Sequence, residues 1–182
     1  FLNMFISIIN FINIIIKSLR ILANTNDIHN AKLLAEPIWV ELSRRDNLYL
    51  SDIFLLNAIL YIFPIETAVE MKRFAFRHID KYKNFQNINR IKINFLVNLS
   101  LLYLKNNDYN MALEQLENSI ELCKIEKQFI NLSICYIRKG VCLNNMGTRG
   151  LYWINKGMSM LEVLDQFDLL SILKAEIKQY ST

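Results

Sequence analysis

Residues 96–119 read LVNLSLLYLKNNDYNMALEQLENS. Leu96, Leu99 and Tyr103 recur at steps of three and four, the spacing of one helical face. Asn106-Asn107-Asp108 interrupts the apolar run with residues that take turn conformations, and Asp108 is placed to cap the next helix. Ala112, Leu113, Leu116 and Ile120 then recur on one face while Glu114, Glu117 and Glu121 hold another. Two amphipathic helices joined by so short a turn fold back on one another. Ala112 stands three residues after Tyr109. A small residue there admits a neighbouring helix, and the large one a turn earlier fills the space beside it.

The same large-then-small pairing occurs at Ile28-x-x-Ala31, Ile65-x-x-Ala68 and Ile154-x-x-Gly157, each behind a longer apolar helix. The intervals are about 37, 44 and 45 residues, in the range of repeated helix pairs. The expected fold is all-α, a helical-repeat solenoid over residues 1–182. Such arrays bury a continuous core and present a curved face for binding.

Outward from that stretch, periodicity predicts helices over about Phe1 to Leu22, a second to about Leu42 with a bend at Pro37, and a third to Phe63 capped by Ser51 or Asp52. Pro64 starts a fourth, carrying Ala68, Met71, Ala75 and Ile79. Lys81 to Asn89 is the longest polar connection. Later helices span about Asn89 to Lys105, Gln128 to Met146 and onward to Leu164, with Gly147-Thr148-Arg149-Gly150 as a break. A last helix runs from Asp168 to about Tyr180.

Composition agrees. The chain is 53% hydrophobic and 21% charged, with only 4 Gly and 2 Pro among 182 residues. That is a core-rich chain with little of the turn chemistry that sandwiches and barrels need. A net charge of +4, with pairs such as Arg44-Arg45 but no basic stretch, gives no nucleic-acid surface. Cys123, Cys135 and Cys142 form no C-x-x-C pair. The last two share a helical face roughly 10 Å apart, too far for a disulfide. All three are expected as small buried hydrophobes of a cytoplasmic protein.

The apolar start, Phe1 to Ile16, carries Asn3, Ser7, Asn10 and Asn13 along one stripe, as expected of a helix with one polar edge and not of a membrane span. The chain opens on Phe and enters a helix without a partner, so it is expected to be a fragment with more sequence upstream.

Leu96, Leu99-Ser100, Tyr103, Asn107, Tyr109, Ala112, Leu116 and Ser119 resemble the large-small ladder of a tetratricopeptide repeat, and Gly140, Leu143, Gly147, Gly157 and Leu161 resemble it less closely. More widely the chain resembles the C-terminal domain of the Rgg/GadR/MutR transcriptional regulators. The resembling segments are SDIFLLNAILYIF at 51–63, NLSLLYLKNNDY at 98–109, YIRKG at 136–140 and NKG at 155–157. Leu48 stands where a tryptophan is usual, and the family's N-terminal helix-turn-helix is not in this sequence. The resemblance implies a cytoplasmic homodimer of a Gram-positive bacterium. DNA binding would reside in the missing domain, and the repeat domain would bind a short quorum-sensing peptide on its concave face.

No catalytic constellation accompanies this pattern, and no cofactor or metal is expected. His78 stands among Arg77, Asp80 and Lys81 and is expected on a solvated face; His29 is expected exposed. No Cys/His spacing fits zinc. In the tetratricopeptide register, Asn94 and Asn98 lie one turn apart on an inner helix, and Arg138 is the equivalent of Asn98 in the next repeat. Asn57 and Tyr61 sit similarly in the third helix. A carboxamide both donates and accepts, which suits a peptide backbone. Val97, Leu101, Ile134 and Val141 are candidate walls of apolar pockets between them. The stripe Leu169, Ile172, Leu173 and Ile177 has no following repeat to cover it and is expected to form a dimer interface. Two other functions fit the same fold: a constitutive scaffold docking a protein partner, and a metabolite-responsive regulator.

Overall fold

The computed structural model describes residues 2–82 and 88–180, with side chains from residue 7 onward. Among them it has nine α-helices, two 3-10 turns and no strand. They form two compact units, residues 1–85 and 86–182. The polar connection expected over Lys81 to Asn89 falls mostly on residues 83–87, outside the described residues.

The first unit holds α1 (Leu2–Thr25), α2 (Ile28–Ser43), α3 (Leu50–Ile59), a 3-10 turn (Leu60–Ile62), α4 (Ile65–Ile79) and a second 3-10 turn (Asp80–Tyr82). Asp27 caps α2 by accepting the Asn30 N–H at 3.0 Å. The helix continues through Pro37. Ala31, Ala35, Ile38 and Leu42 bury one face of it. Expected as one helix to Phe63, the third instead tightens into a 3-10 turn at Leu60, and Phe63 is extended. The residue before a proline is driven from the helical region, and Pro64 comes next. Asp52 does not sit at the cap itself. It lies in the first turn of α3, where its carboxylate accepts the Tyr49 N–H at 3.0 Å and the Arg45 guanidinium at 2.9 Å. Ala68, Met71, Ala75 and Ile79 are all fully buried on α4.

The segment Ser7–Thr25 of α1 is, among the described residues, long and apolar enough to cross a membrane by length and composition. It packs on α2 and α3 through Phe11, Ile15 and Ser18, while Ile9, Ile12 and Ile16 remain exposed.

The second unit holds α5 (Ile88–Lys105), α6 (Tyr109–Ile125), α7 (Phe129–Asn145), α8 (Leu151–Val163) and α9 (Phe167–Tyr180). Each of α5 to α8 packs on the next; α7 also touches α5 and α9, and α8 touches α9. The corners repeat. The N–H of Asp108, Gln128, Thr148 and Gln166 returns to the carbonyl of Tyr103, Cys123, Leu143 and Leu161 respectively, at 2.9 to 3.0 Å. The residue before each donor has a positive φ: Asn107, Lys127, Gly147 and Asp165. This is the Schellman closure of a helix end. Glycine allows α7 and α8 to pack closely. A Cβ on Gly140 would stand 2.5 Å from the Gly150 carbonyl oxygen, so α7 meets the start of α8 backbone to backbone.

Candidate functional site

Of the inner residues proposed from sequence, Arg138 and Val97 meet directly. The apolar periodicity of α7 puts Arg138 among Cys135, Ile137, Val141 and Cys142, and it is only 7% exposed. Its Nη1 donates to the Val97 carbonyl of α5 at 2.7 Å. Nε and Nη2 donate to the two carboxylate oxygens of Glu176 on α9, at 2.6 and 2.9 Å. That is a bidentate fork. The expected opening of Arg138 to a groove is corrected: the chain's own Glu176 supplies the carboxylate that a ligand was expected to bring.

Around this point Val97 and Val141 are buried, while Asn94, Asn98 and Leu101 are half-buried along α5. Asn98 already has an interaction within the chain, as does Asn57. Ile134 packs against the cluster of Ile137, Leu161, Leu170 and Leu173 instead of lining an open pocket. Asn57 and Tyr61 belong to the first unit, both half-buried. Burial pushes the Tyr61 phenol above its ordinary pKa.

The dimer stripe is also corrected. Leu173 is buried in its own chain's core, and Leu169 and Ile177 pack against that core. Only Ile172 points away, 64% exposed. Glu176 stands three residues after Leu173 and seven after Leu169, on the same face. A lone acid on an apolar stripe, and a lone arginine inside an apolar helix, were the signals that could have paired them.

The thiols are buried as expected. Cys135 donates to Ser119 Oγ at 3.3 Å, and Ser119 lies 3.8 Å from Cys123 Sγ. Its hydrogen bond with Cys123 and its burial push the Cys135 thiol well up. Burial takes Cys142 to about 12. Those two sulfurs are poor nucleophiles at neutral pH. His78 is not on a solvated face. It is 8% exposed, its ring 4.8 Å from Phe74, and its Nδ1 has no hydrogen-bond partner. Burial, with Lys81 and Arg77 nearby, lowers its pKa. Among the described residues no three His, Cys, Asp or Glu side chains gather to hold a metal.

No protein-family model, no curated protein and no solved structure matches the chain.

Proposed function

We propose that this chain is the ligand-sensing, dimerising part of a transcription regulator of the Rgg/GadR/MutR kind. It would be a cytoplasmic tetratricopeptide-like array that binds a short signalling peptide and carries out no catalysis. DNA contact would belong to a separate helix-turn-helix. One observation supports this above the others. The same helix corner recurs at Asn107, Lys127, Gly147 and Asp165, which supports reading α5 to α9 as repeats of one helix unit. Repeated helix hairpins offer a row of inner helices for an extended ligand. Asn94, Asn98 and Leu101 share one half-buried face of α5, the helix whose Val97 carbonyl meets Arg138.

Calorimetric titration of short synthetic apolar peptides tests the reading. Asn98→Ala should weaken affinity per folded molecule, whatever it does to the melting temperature. A lowered melting temperature with unaltered affinity per folded molecule would sink it. Sedimentation of the native chain should give a dimer at tens of micromolar, and Ile172→Asp should dissociate it; a native monomer rejects that part. The closed Arg138–Glu176 pair favours one rival, a constitutive scaffold for a protein partner, because it leaves no loose charge at the centre of the inner face.

A further inference from the structure

The groove between α7 and α8, away from Arg138, holds an aromatic box around a cation. Tyr136 of α7 and Trp153 of α8 have ring centroids 5.1 Å apart, and Tyr152 meets Trp153 at 5.3 Å. The Lys156 ammonium lies 4.8, 5.4 and 5.8 Å from the Tyr136, Trp153 and Tyr152 centroids. Three ring faces fix that charge in place. Lys139 also lies over the Trp153 ring, at 4.1 Å, and is bonded to Glu117 of α6. Lys156 has no carboxylate partner among the described residues. One cation in the groove is neutralised, and the next is positioned and not.

Lys156 also walls a cleft of about 390 Å³, formed with Phe129, Met160, Val163 and Leu164. The positions come from helix spacing. Lys156, Met160 and Val163 are successive members of one face of α8. Phe129 opens α7 at the opposite end from the α7–α8 corner. The cleft is apolar and open to solvent, with Val163 83% exposed.

We propose that this groove docks a peptide segment ending in a large apolar residue with a free carboxylate. The carboxylate would sit on Lys156 and the side chain in the cleft. Charge selects an anion. A single ammonium with no second donor suits a carboxylate better than a phosphate dianion, which takes several donors. The open cleft suits one or two side chains, whereas sites for whole small ligands bury most of the ligand's surface. This site is independent of the inner face proposed above.

Trp39→Phe leaves Trp153 as the single tryptophan, a reporter inside the box. The probe is the acetylated tripeptide leucyl-leucyl-phenylalanine with a free C-terminal carboxylate, set beside its amide and beside dodecanoate. The acid should change Trp153 emission saturably. The amide, or Lys156→Met with the acid, should bind about tenfold more weakly. Val163→Asp should abolish the change, and Asn98→Ala should leave it intact, which separates this site from the inner face. Both Lys156 and Val163 are exposed, and thermal melts check that the variants fold. Equal binding of acid and amide would overturn the proposal. So would indifference to Lys156→Met, absence of saturation up to the solubility limit, or dodecanoate outcompeting the tripeptide.

Discussion

At the scale of single residues, one buried guanidinium ties three helices together. Arg138 reaches α5 through the Val97 carbonyl and α9 through Glu176. Removing one partner of a buried ion pair strands the other charge, at a cost of about 3–5 kcal/mol when both are fully buried. The Glu176 side chain is 13% exposed, so solvent screens part of this. Glu176→Gln should therefore lose about 2–3 kcal/mol in urea denaturation. Arg138→Met combined with Glu176→Met should recover most of that, since neither charge is then stranded. A double variant as unstable as the single one would show that α9 needs the pair for another reason. His78 gives a second test, through pH. Its folded pKa is lowered from the ordinary 6.5, first by burial and then by Lys81 and Arg77. The unfolded chain thus binds that proton more tightly. The contribution of neutral His78 is complete above 6.5 and is lost as pH falls from there toward the lower folded value. His78→Leu should flatten the fall in urea midpoint between about pH 7.5 and about pH 5.5. An equal fall in both proteins would refute this. The sequence pattern reads Arg138 as facing a ligand and Val97 as an apolar pocket wall; in the structure the Val97 backbone carbonyl accepts from Arg138. The pattern does not reveal Glu176, because its pairing with Arg138 spans 38 residues, beyond the reach of periodicity. It puts His78 outside because Arg77, Asp80 and Lys81 flank it, although Ala75, His78 and Ile79 share the buried face of α4.

At the scale of elements, the corners of the second unit are one structure written in different residues. Asn107, Lys127, Gly147 and Asp165 all take positive φ before the returning N–H. Gly, and less readily Asn and Asp, adopt that conformation, whereas for a residue such as lysine it is strained. The breaks at Asn106-Asn107-Asp108 and Gly147 to Gly150 were therefore legible. At Lys127 only the helix ends could be read, and the strained residue carries no turn signature. Lys127→Gly should stabilise the protein by about 0.5–1 kcal/mol, the relief of left-handed strain less the added entropy of glycine unfolded. Gly147→Ala should cost about 1 kcal/mol. A Cβ at Gly147 would meet nothing within 4 Å, so that loss is conformational and not steric. Urea midpoints moving in opposite directions support the shared corner; two losses of similar size would reject it. The small residues Ala31, Ala68, Ala112 and Gly157 are contact points by their spacing, and all four are buried. Helix spacing reveals them because a residue without bulk on an apolar face leaves room only a neighbour can fill. The shortening of α3 was less legible, since its apolar run continues unbroken to Phe63 and only the proline marks the end.

At the scale of the whole molecule, the all-helical class is legible in apolar spacing and in the scarcity of Gly and Pro. The division into two units leaves one mark in the sequence, the polar connection Lys81 to Asn89 that straddles the boundary, but helical periodicity on both sides does not distinguish a joint between units from a long loop inside one. The second unit has what an independent domain needs. Ile93, Phe95, Ala112, Leu116, Cys123, Cys135, Ile137 and Leu161 are almost fully buried within it. Its terminal helix α9 is held by Leu170 and Leu173, by the Arg138–Glu176 pair and by the Asn145 amide donating to the Tyr180 carbonyl at 2.6 Å. The first unit leaves Ile9, Ile12, Ile16, Leu33, Leu34 and Val40 exposed on α1 and α2. A chain of residues 86–182 alone should therefore give a helical circular dichroism spectrum and a single cooperative urea transition, with a slope of about 1 kcal/mol per molar urea for a domain near 100 residues. Residues 1–85 alone should bind a hydrophobic dye and associate with rising concentration, because their apolar faces lack cover. A broad transition and strong dye binding by residues 86–182 would mean that its core is not self-sufficient. The repeating corners would then hold its helices in sequence without closing a stable fold.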